Sequence, residues 1–180
     1  MALLLVVILV IPMLIIWLIT SWDTKQNGIF AHQRIGQEGK SFKMYKFRTL
    51  KGNYTNPITT EKTHNLTKSG KFLVKYKLDE LPQLFNILNG TMSFVGPRPD
   101  VSGYADQLEG DDRVILSVKP GITGPAQIKY RDEASLLERA ENPIEFNDQV
   151  LWPDKVEINK EYIQNWSLKK DMHILWKTLF

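Results

Sequence analysis

The longest apolar run of the chain lies near its start, where residues 2–19 are apolar and include one proline, Pro12. A helix of this length spans about 27 Å, close to the thickness of the hydrocarbon core of a bilayer. Pro12 removes one backbone hydrogen bond and predicts a kink in the middle of the run. Two interpretations follow: a kinked helix that crosses the membrane, or a re-entrant hairpin in which Pro12 is the membrane break and each arm reaches about one leaflet.

Farther along the chain, residues 28–49 alternate between apolar and polar. This pattern predicts a β-hairpin around a polar turn at residues 36–39. In a regular second strand, Lys46 and Arg48 project to the same face. Two cations on one face suit a phosphate group, and they suit a solvated sheet edge equally well. Residues 51–70 are rich in Thr, Asn, Gly and Lys and predict a loop.

A helical period begins just after Asp79 and Glu80, and Asn89-Gly90 ends it. The apolar face of this short helix is formed by Leu81, Leu84, Phe85 and Leu88. Further amphipathic patterns predict surface helices at residues 132–140 and 154–166 and a last helix that Ser167 caps. We therefore expect an α+β fold that is mainly helical, with a Pro-kinked membrane helix that is re-entrant or spanning, a small β-hairpin and surface amphipathic helices. Residues 1–22 form the membrane-inserted hairpin or anchor in this scheme, and residues 23–180 form a cytoplasmic domain.

The charge distribution supports a membrane location. The net charge is +3, but residues 23–80 hold 12 Lys and Arg against 5 Asp and Glu, and residues 81–180 hold 11 against 15. Basic residues that follow an apolar segment are attracted to anionic lipid and tend to stay in the cytoplasm. No nucleic-acid-binding motif is present, and the absence of cysteine excludes disulfides and Cys-type zinc sites.

The residues most suited to chemistry are Asp79, Glu80 and Arg98. A carboxylate can act as a nucleophile, two adjacent carboxylates can hold Mg²⁺, and an arginine fixed between Pro97 and Pro99 is pre-organised for phosphate. The simpler alternative is that Asp79 is the N-cap of the following helix, with Pro82 in its first turn and Glu80 favouring the helix dipole. The spacing by itself favours the cap.

Five blocks of the sequence together resemble the monotopic phosphoglycosyl transferases, the bacterial sugar transferase family, over nearly the whole length. They are QRIGQEGKSFKMYKFRTL, KLDELPQLFNILNG, MSFVGPRP, KPGITGPAQI and NWSLKKDMHILWKT. The resemblance implies that Asp79 attacks the β-phosphorus of a UDP-sugar and releases UMP. The phosphate of a polyprenol (undecaprenyl) phosphate then takes the sugar phosphate from Asp79, which initiates glycan assembly.

The resemblance also implies roles for other residues and for the surroundings. Glu80 would bind Mg²⁺ with Asp79 or assist the acceptor, and Lys46 and Arg98 would hold phosphate oxygens. Just before Asp79 the family commonly has an arginine that this chain lacks, so Lys75 and Lys77 are the candidates to replace its phosphate contact. The expected location is the cytoplasmic face of the bacterial inner membrane, in contact with lipid and without nucleic acid.

Two other functions are compatible with these residues. One is a membrane-anchored scaffold without catalytic activity in a glycan assembly pathway, and the other is a hydrolase that transfers the sugar phosphate of a UDP-sugar to water. A homo-oligomer is compatible with the sequence as well.

Overall fold

The computed structural model describes residues 1–52 and 66–179, and most of the predicted 51–70 loop lies outside these ranges. The protein is mainly helical with two small sheets, as the sequence predicts for its fold class. The helices are α1 (Ala2–Thr24), α2 (Lys68–Lys75), α3 (Gln83–Leu88), α4 (Pro125–Lys129), α5 (Glu133–Arg139), α6 (Pro143–Phe146), α7 (Trp152–Gln164) and α8 (Leu168–Leu179). The strands are β1 (Ile29–Ile35), β2 (Ser41–Phe47), β3 (Ser93–Val95) and β4 (Gly121–Thr123).

Helix α1 contains the whole apolar run and continues through Pro12. The predicted N-terminal apolar helix is therefore confirmed as one helix over residues 2–24, and its re-entrant or spanning course stays a prediction. A proline costs a helix one hydrogen bond. The Leu, Ile and Val residues on both sides continue the helix, in which the remaining backbone groups pair with one another. By length and composition α1 can cross a membrane, and only 11% of its most apolar window is buried.

One side of α1 packs against the rest of the protein. Met13 is buried with Phe47 and Leu73, and Leu9 and Ile16 of the same helix face pack against this cluster. The C-terminal end of α1 is joined to the hairpin by side chains, because the Thr20 hydroxyl donates to the Gly28 carbonyl at 3.3 Å. The helix is thus fixed along much of its length to the domain that follows it.

The predicted hairpin is confirmed, with β1 antiparallel to β2 and Ile29 opposite Phe47. Its outer edge is held by a side chain of α3. The Asn86 amide oxygen accepts from the Tyr45 backbone N–H at 3.1 Å, and the amide nitrogen donates to the Lys43 carbonyl at 2.7 Å. Asn86 thereby takes the place of a third strand beside β2.

A second sheet was not predicted from the sequence: β3 and β4 pair in parallel, with Val95 opposite Thr123. The backbones approach so closely there that a Cβ on Gly121 would lie 2.2 Å from the Gly96 nitrogen, and a Cβ on Gly124 would lie 2.2 Å from the Gly96 carbonyl oxygen. The missing side chains let the segment after β3 pack directly against the segment that begins with β4. This contact fixes the turn that carries Arg98.

The helices α7 and α8 complete two apolar clusters. Val156 of α7 packs with Ile35 and Leu116, and Ile174 of α8 packs with Val95 and Tyr162. The predicted last helix is confirmed as α8, and one side of it lies in the core.

Candidate active site

The carboxylates of Asp79 and Glu80 lie in a tight 3₁₀ turn between α2 and α3. Lys77 precedes the turn with a left-handed backbone (φ 57°), and residues 78–80 form one turn with i to i+3 hydrogen bonds. Helix α3 begins later, at Gln83, and its N-cap is Pro82. The predicted N-cap role of Asp79 is therefore wrong, because the chain reverses at Lys77 and the Asp79 side chain turns into the protein.

Glu80 is the carboxylate that the surrounding cations hold. Its Oε1 lies 2.8 Å from the Lys46 Nζ and 3.6 Å from Arg98 Nη2, and its side chain is 12% exposed. Burial by itself would raise the pKa of Glu80, but the charges of Lys46 and Arg98 outweigh it and lower the pKa to about 2. Glu80 is thus ionised at neutral pH and joins β2 to the Arg98 turn.

Asp79 is buried and lacks such a partner. It is 8% exposed, and no hydrogen bond or ion pair reaches its carboxylate from another residue within the ranges 1–52 and 66–179. Burial raises the pKa of the Asp79 carboxyl above its usual range, against the lowering influence of Lys46. A more basic carboxylate without hydrogen-bonded partners is a better nucleophile than a paired one. The adjacent carboxylates therefore differ in chemical character.

Arg98 is held by the backbone on both sides of it. The Pro97 carbonyl accepts from the Gly121 N–H at 2.9 Å, and the Asp100 carbonyl accepts from the Ile35 N–H at 2.8 Å. Loss of hydration lowers the pKa of Arg98. The nearby carboxylates, above all Glu80, outweigh this effect, so the pKa is raised overall. The side chain is 47% exposed, so an anion can approach it from solvent.

The structure brings some of the sequence-predicted residues to this site and places others elsewhere. Lys46 and Arg98 reach Glu80, and the charge of Lys77 lowers the pKa of both carboxylates without a direct ion pair. Arg48 instead donates to the Asn27 carbonyl at 2.9 Å and lies over the Phe30 ring. Lys75, in the last turn of α2, lies over the ring of Tyr76.

Three polar residues near the site were not singled out from the sequence: His32, Arg34 and Asp100. Burial and the positive charges of Arg34 and Lys46 lower the pKa of His32. Burial raises the pKa of Asp100 to about 6, despite the nearby cations. The strand pattern could have identified His32 and Arg34. Both lie on the same face of β1 as Phe30, and Phe30 pairs with Lys46.

The two carboxylates are also the candidate ligands for a metal ion. Among the described residues, no three His, Cys, Asp or Glu side chains form a group that could hold one. Mg²⁺ is commonly bound by one or two carboxylates together with substrate phosphates and water. Asp79 and the adjacent Glu80 match this requirement for one or two protein carboxylates.

Comparison with known proteins shows the family to which the chain is similar. The family model for bacterial sugar transferases matches residues 1–180. The UDP-glucose:undecaprenyl-phosphate glucose-1-phosphate transferase of Escherichia coli K12 is 40% identical over 84% of this chain and 32% of its own length. The undecaprenyl-phosphate galactose phosphotransferase of Salmonella typhimurium is 37% identical over 86% of the chain and 33% of its own length.

A shorter relative is matched over more of its length. The exopolysaccharide production protein ExoY of Rhizobium meliloti is 34% identical over 92% of this chain and 74% of its own length. The chain spans about one third of the length of the Escherichia coli and Salmonella relatives. The match of the family model over the whole chain, together with these relatives, shows that this protein belongs to the bacterial sugar transferase family.

Proposed function

We propose that this protein transfers a sugar phosphate from a UDP-sugar to undecaprenyl phosphate or a similar polyprenol phosphate, by way of a covalent intermediate on Asp79. The name of the Escherichia coli relative contains this donor and acceptor, and the name of the Salmonella relative contains the acceptor. The observation that carries the proposal is the difference between the adjacent carboxylates. Glu80 contacts Lys46 and Arg98, whereas Asp79 is buried and has no ion pair with any of the described residues.

In the first step, an Asp79 carboxylate oxygen attacks the β-phosphorus of the donor in line with the bond to the bridging oxygen. A bond between Asp79 and phosphorus forms, the phosphorus–oxygen bond to UMP breaks, and its electron pair leaves with UMP. Lys46 and Arg98 stabilise the negative charge on the phosphate oxygens, for which Glu80 holds both cations in place.

In the second step, a phosphate oxygen of the polyprenol phosphate attacks the same phosphorus. The bond to Asp79 breaks, the carboxylate is regenerated, and the product is a polyprenyl diphosphate sugar. One phosphoanhydride replaces another, so the overall exchange requires no further energy source. Covalent catalysis divides it into two in-line displacements at one carboxylate.

We include Mg²⁺ in this proposal, with Asp79 and Glu80 as its protein ligands. When bound, the ion supplies positive charge that neutralises the diphosphate of the donor. The residues of this chain supply the nucleophile and the fixed cations on either side of it.

The surface around the site supports a membrane location, which we propose is the cytoplasmic face of the bacterial inner membrane. Helix α1 packs against α2 and α3, the two helices that flank the Asp79 turn. Phe72 of α2 is 57% exposed, Tyr76 directly after α2 is 55% exposed, and Leu88 of α3 is 42% exposed. Apolar groups that continue the surface of a membrane helix favour burial in the same apolar layer. Asp79 would then lie near the level of lipid phosphates.

The test is release of UMP from UDP-sugars by the 180-residue chain with undecaprenyl phosphate and Mg²⁺. Asp79→Asn should lower turnover by at least about 10³-fold, because no nucleophile remains. The matched control is Asp111→Asn, which removes the same charge at an exposed position and should leave turnover unchanged. Mass spectrometry without acceptor should show a sugar-phosphate adduct on Asp79.

Other outcomes would identify other functions. Undiminished turnover of Asp79→Asn would reject the covalent mechanism. UMP release that is independent of polyprenol phosphate would indicate a hydrolase. Pathway complementation by Asp79→Asn, without UMP release by either protein, would indicate a scaffold.

A further inference from the structure

A second arginine beside the site, Arg34, has a guanidinium nitrogen without a hydrogen-bond partner in the described part of the chain. Its Nη1 atom is buried and has no hydrogen-bond partner. No ion pair reaches this side chain from the described parts of the chain, residues 1–52 and 66–179. Leaving a buried donor unsatisfied is unfavourable, and more so when the group is charged. The folded protein therefore keeps an unsatisfied cationic donor next to its candidate active site.

The position of Arg34 is well determined by the backbone. It lies in β1 opposite Phe42, and the next residue, Ile35, donates its N–H to the carbonyl of Asp100 at 2.8 Å. In this register Arg34 and Lys46 start from the same face of the hairpin. The side chain therefore leaves a rigid strand at the edge of the turn that carries Arg98.

The electrostatic surroundings of Arg34 favour an anion. Burial and the positive charge of Arg98 lower the pKa of Arg34 to about 10, and Asp100 offsets part of this effect. Asp100 forms no ion pair within 4.0 Å with either arginine in the described structure. Two guanidiniums that repel each other across a partly buried space are stabilised by an anion that both can bind.

We propose that Arg34 binds the phosphate that remains on the nucleotide when UMP leaves, and that it shares this phosphate with Arg98. This inference rests on the proposed function. The attacked phosphate must lie against Asp79, and the leaving phosphate lies on the opposite side of the attacked phosphorus. Arg98 contacts Glu80, beside the nucleophile, and also interacts with the charge of Arg34, so it can contact the attacked phosphate and share the leaving one with Arg34.

The assignment gives Arg34 a direct role in the first step. As the phosphorus–oxygen bond breaks, its electron pair moves onto an oxygen of UMP, and the negative charge of that phosphate increases. The guanidinium donates hydrogen bonds to that phosphate, including one from the unsatisfied Nη1. Arginine presents these donors in a planar pair that matches two phosphate oxygens, which a lysine does not.

The experiment measures binding of UMP and of uridine to full-length Asp79→Asn protein, which cannot turn over, with and without Arg34→Gln. We expect Arg34→Gln to weaken UMP binding about 10- to 100-fold, the range for one lost charged contact, and to change uridine binding less than about 2-fold. Arg139→Gln is the matched control, since it removes the same charge from an exposed side chain of α5 and should leave both affinities unchanged.

Each alternative outcome decides the matter. Unchanged UMP affinity in folded Arg34→Gln would overturn the proposal, and so would an equal loss for UMP and uridine, which indicates a structural role. If Arg34→Gln does not fold, Arg34→Lys decides, because it keeps the charge and loses the paired donors. At least 3-fold weaker UMP binding with unchanged uridine binding would support the proposal, and unchanged UMP binding would refute it. UMP release by the wild-type chain tests the proposed function separately.

Discussion

The most specific stability prediction concerns Asn86. Its side chain is almost completely buried, and its amide satisfies the N–H of Tyr45 and the carbonyl of Lys43 along the free edge of β2. Tyr45 precedes Lys46, the cation that holds Glu80. Replacing Asn86 by alanine therefore removes the link between α3, which follows the carboxylates, and β2, which carries their cationic partner.

The expected cost follows from the groups left unpaired. Asn86→Ala leaves two backbone groups without partners, at about 1–3 kcal/mol for each group that water does not reach. Because both groups are only partly buried, we expect a total loss of about 3 kcal/mol. For a chain of 180 residues, 1 kcal/mol corresponds to about 2–4 °C in unfolding midpoint, so the expected decrease is about 6–12 °C.

The assay is thermal unfolding of the detergent-solubilised protein, followed by tryptophan fluorescence, with UMP release measured on the same samples. The matched control is Asn89→Ala, an exposed asparagine directly after the same helix, which should shift the midpoint by less than about 2 °C. UMP release should fall in Asn86→Ala well below the unfolding temperature, because Lys46 is displaced from Glu80. Equal midpoints for the two variants would refute the reasoning.

Two further predictions concern the turn around Arg98. Gly124→Ala should lower the unfolding midpoint and UMP release together, because its Cβ would lie 2.2 Å from the Gly96 carbonyl oxygen; an unchanged midpoint would show that the sheet can widen. The folded-state pKa of Asp100, about 6, lies above its ordinary value, so folded protein retains this proton longer than unfolded protein does, and stability falls as pH rises from about 4 to about 6. The midpoint of Asp100→Asn should lack this part of the fall, and parallel pH curves for the two proteins would contradict the assignment.

Much of the architecture followed from local patterns. The apolar run predicted a membrane-length helix, and the alternation over residues 28–49 predicted the hairpin that carries Lys46. Both signals are periodicities of neighbouring residues, which secondary structure obeys directly. The choice between a re-entrant and a spanning course stays a prediction, because Pro12 favours a kink but does not by itself determine the course of the two halves.

The spacing of Asp79 and Pro82 was compatible with an N-cap, since a sequence does not show where a chain reverses. The left-handed backbone of Lys77 decided this, and it placed Asp79 inside a 3₁₀ turn. Contacts between residues far apart in the chain also required the tertiary structure, among them the approach of Glu80 to Lys46, 34 positions away.

The sequence by itself thus determined the apolar helix, the hairpin and the candidate carboxylates, because their signals lie within a few neighbouring residues. The tertiary structure decided which groups meet. Within the described residues it gave both cations to Glu80, left Asp79 without an ion pair, and brought Arg34 near Arg98 with its Nη1 unpartnered. The physical reason is that the charge and hydration of a carboxylate or guanidinium depend on the groups packed around it, and those groups come from β1, β2 and the turn after β3.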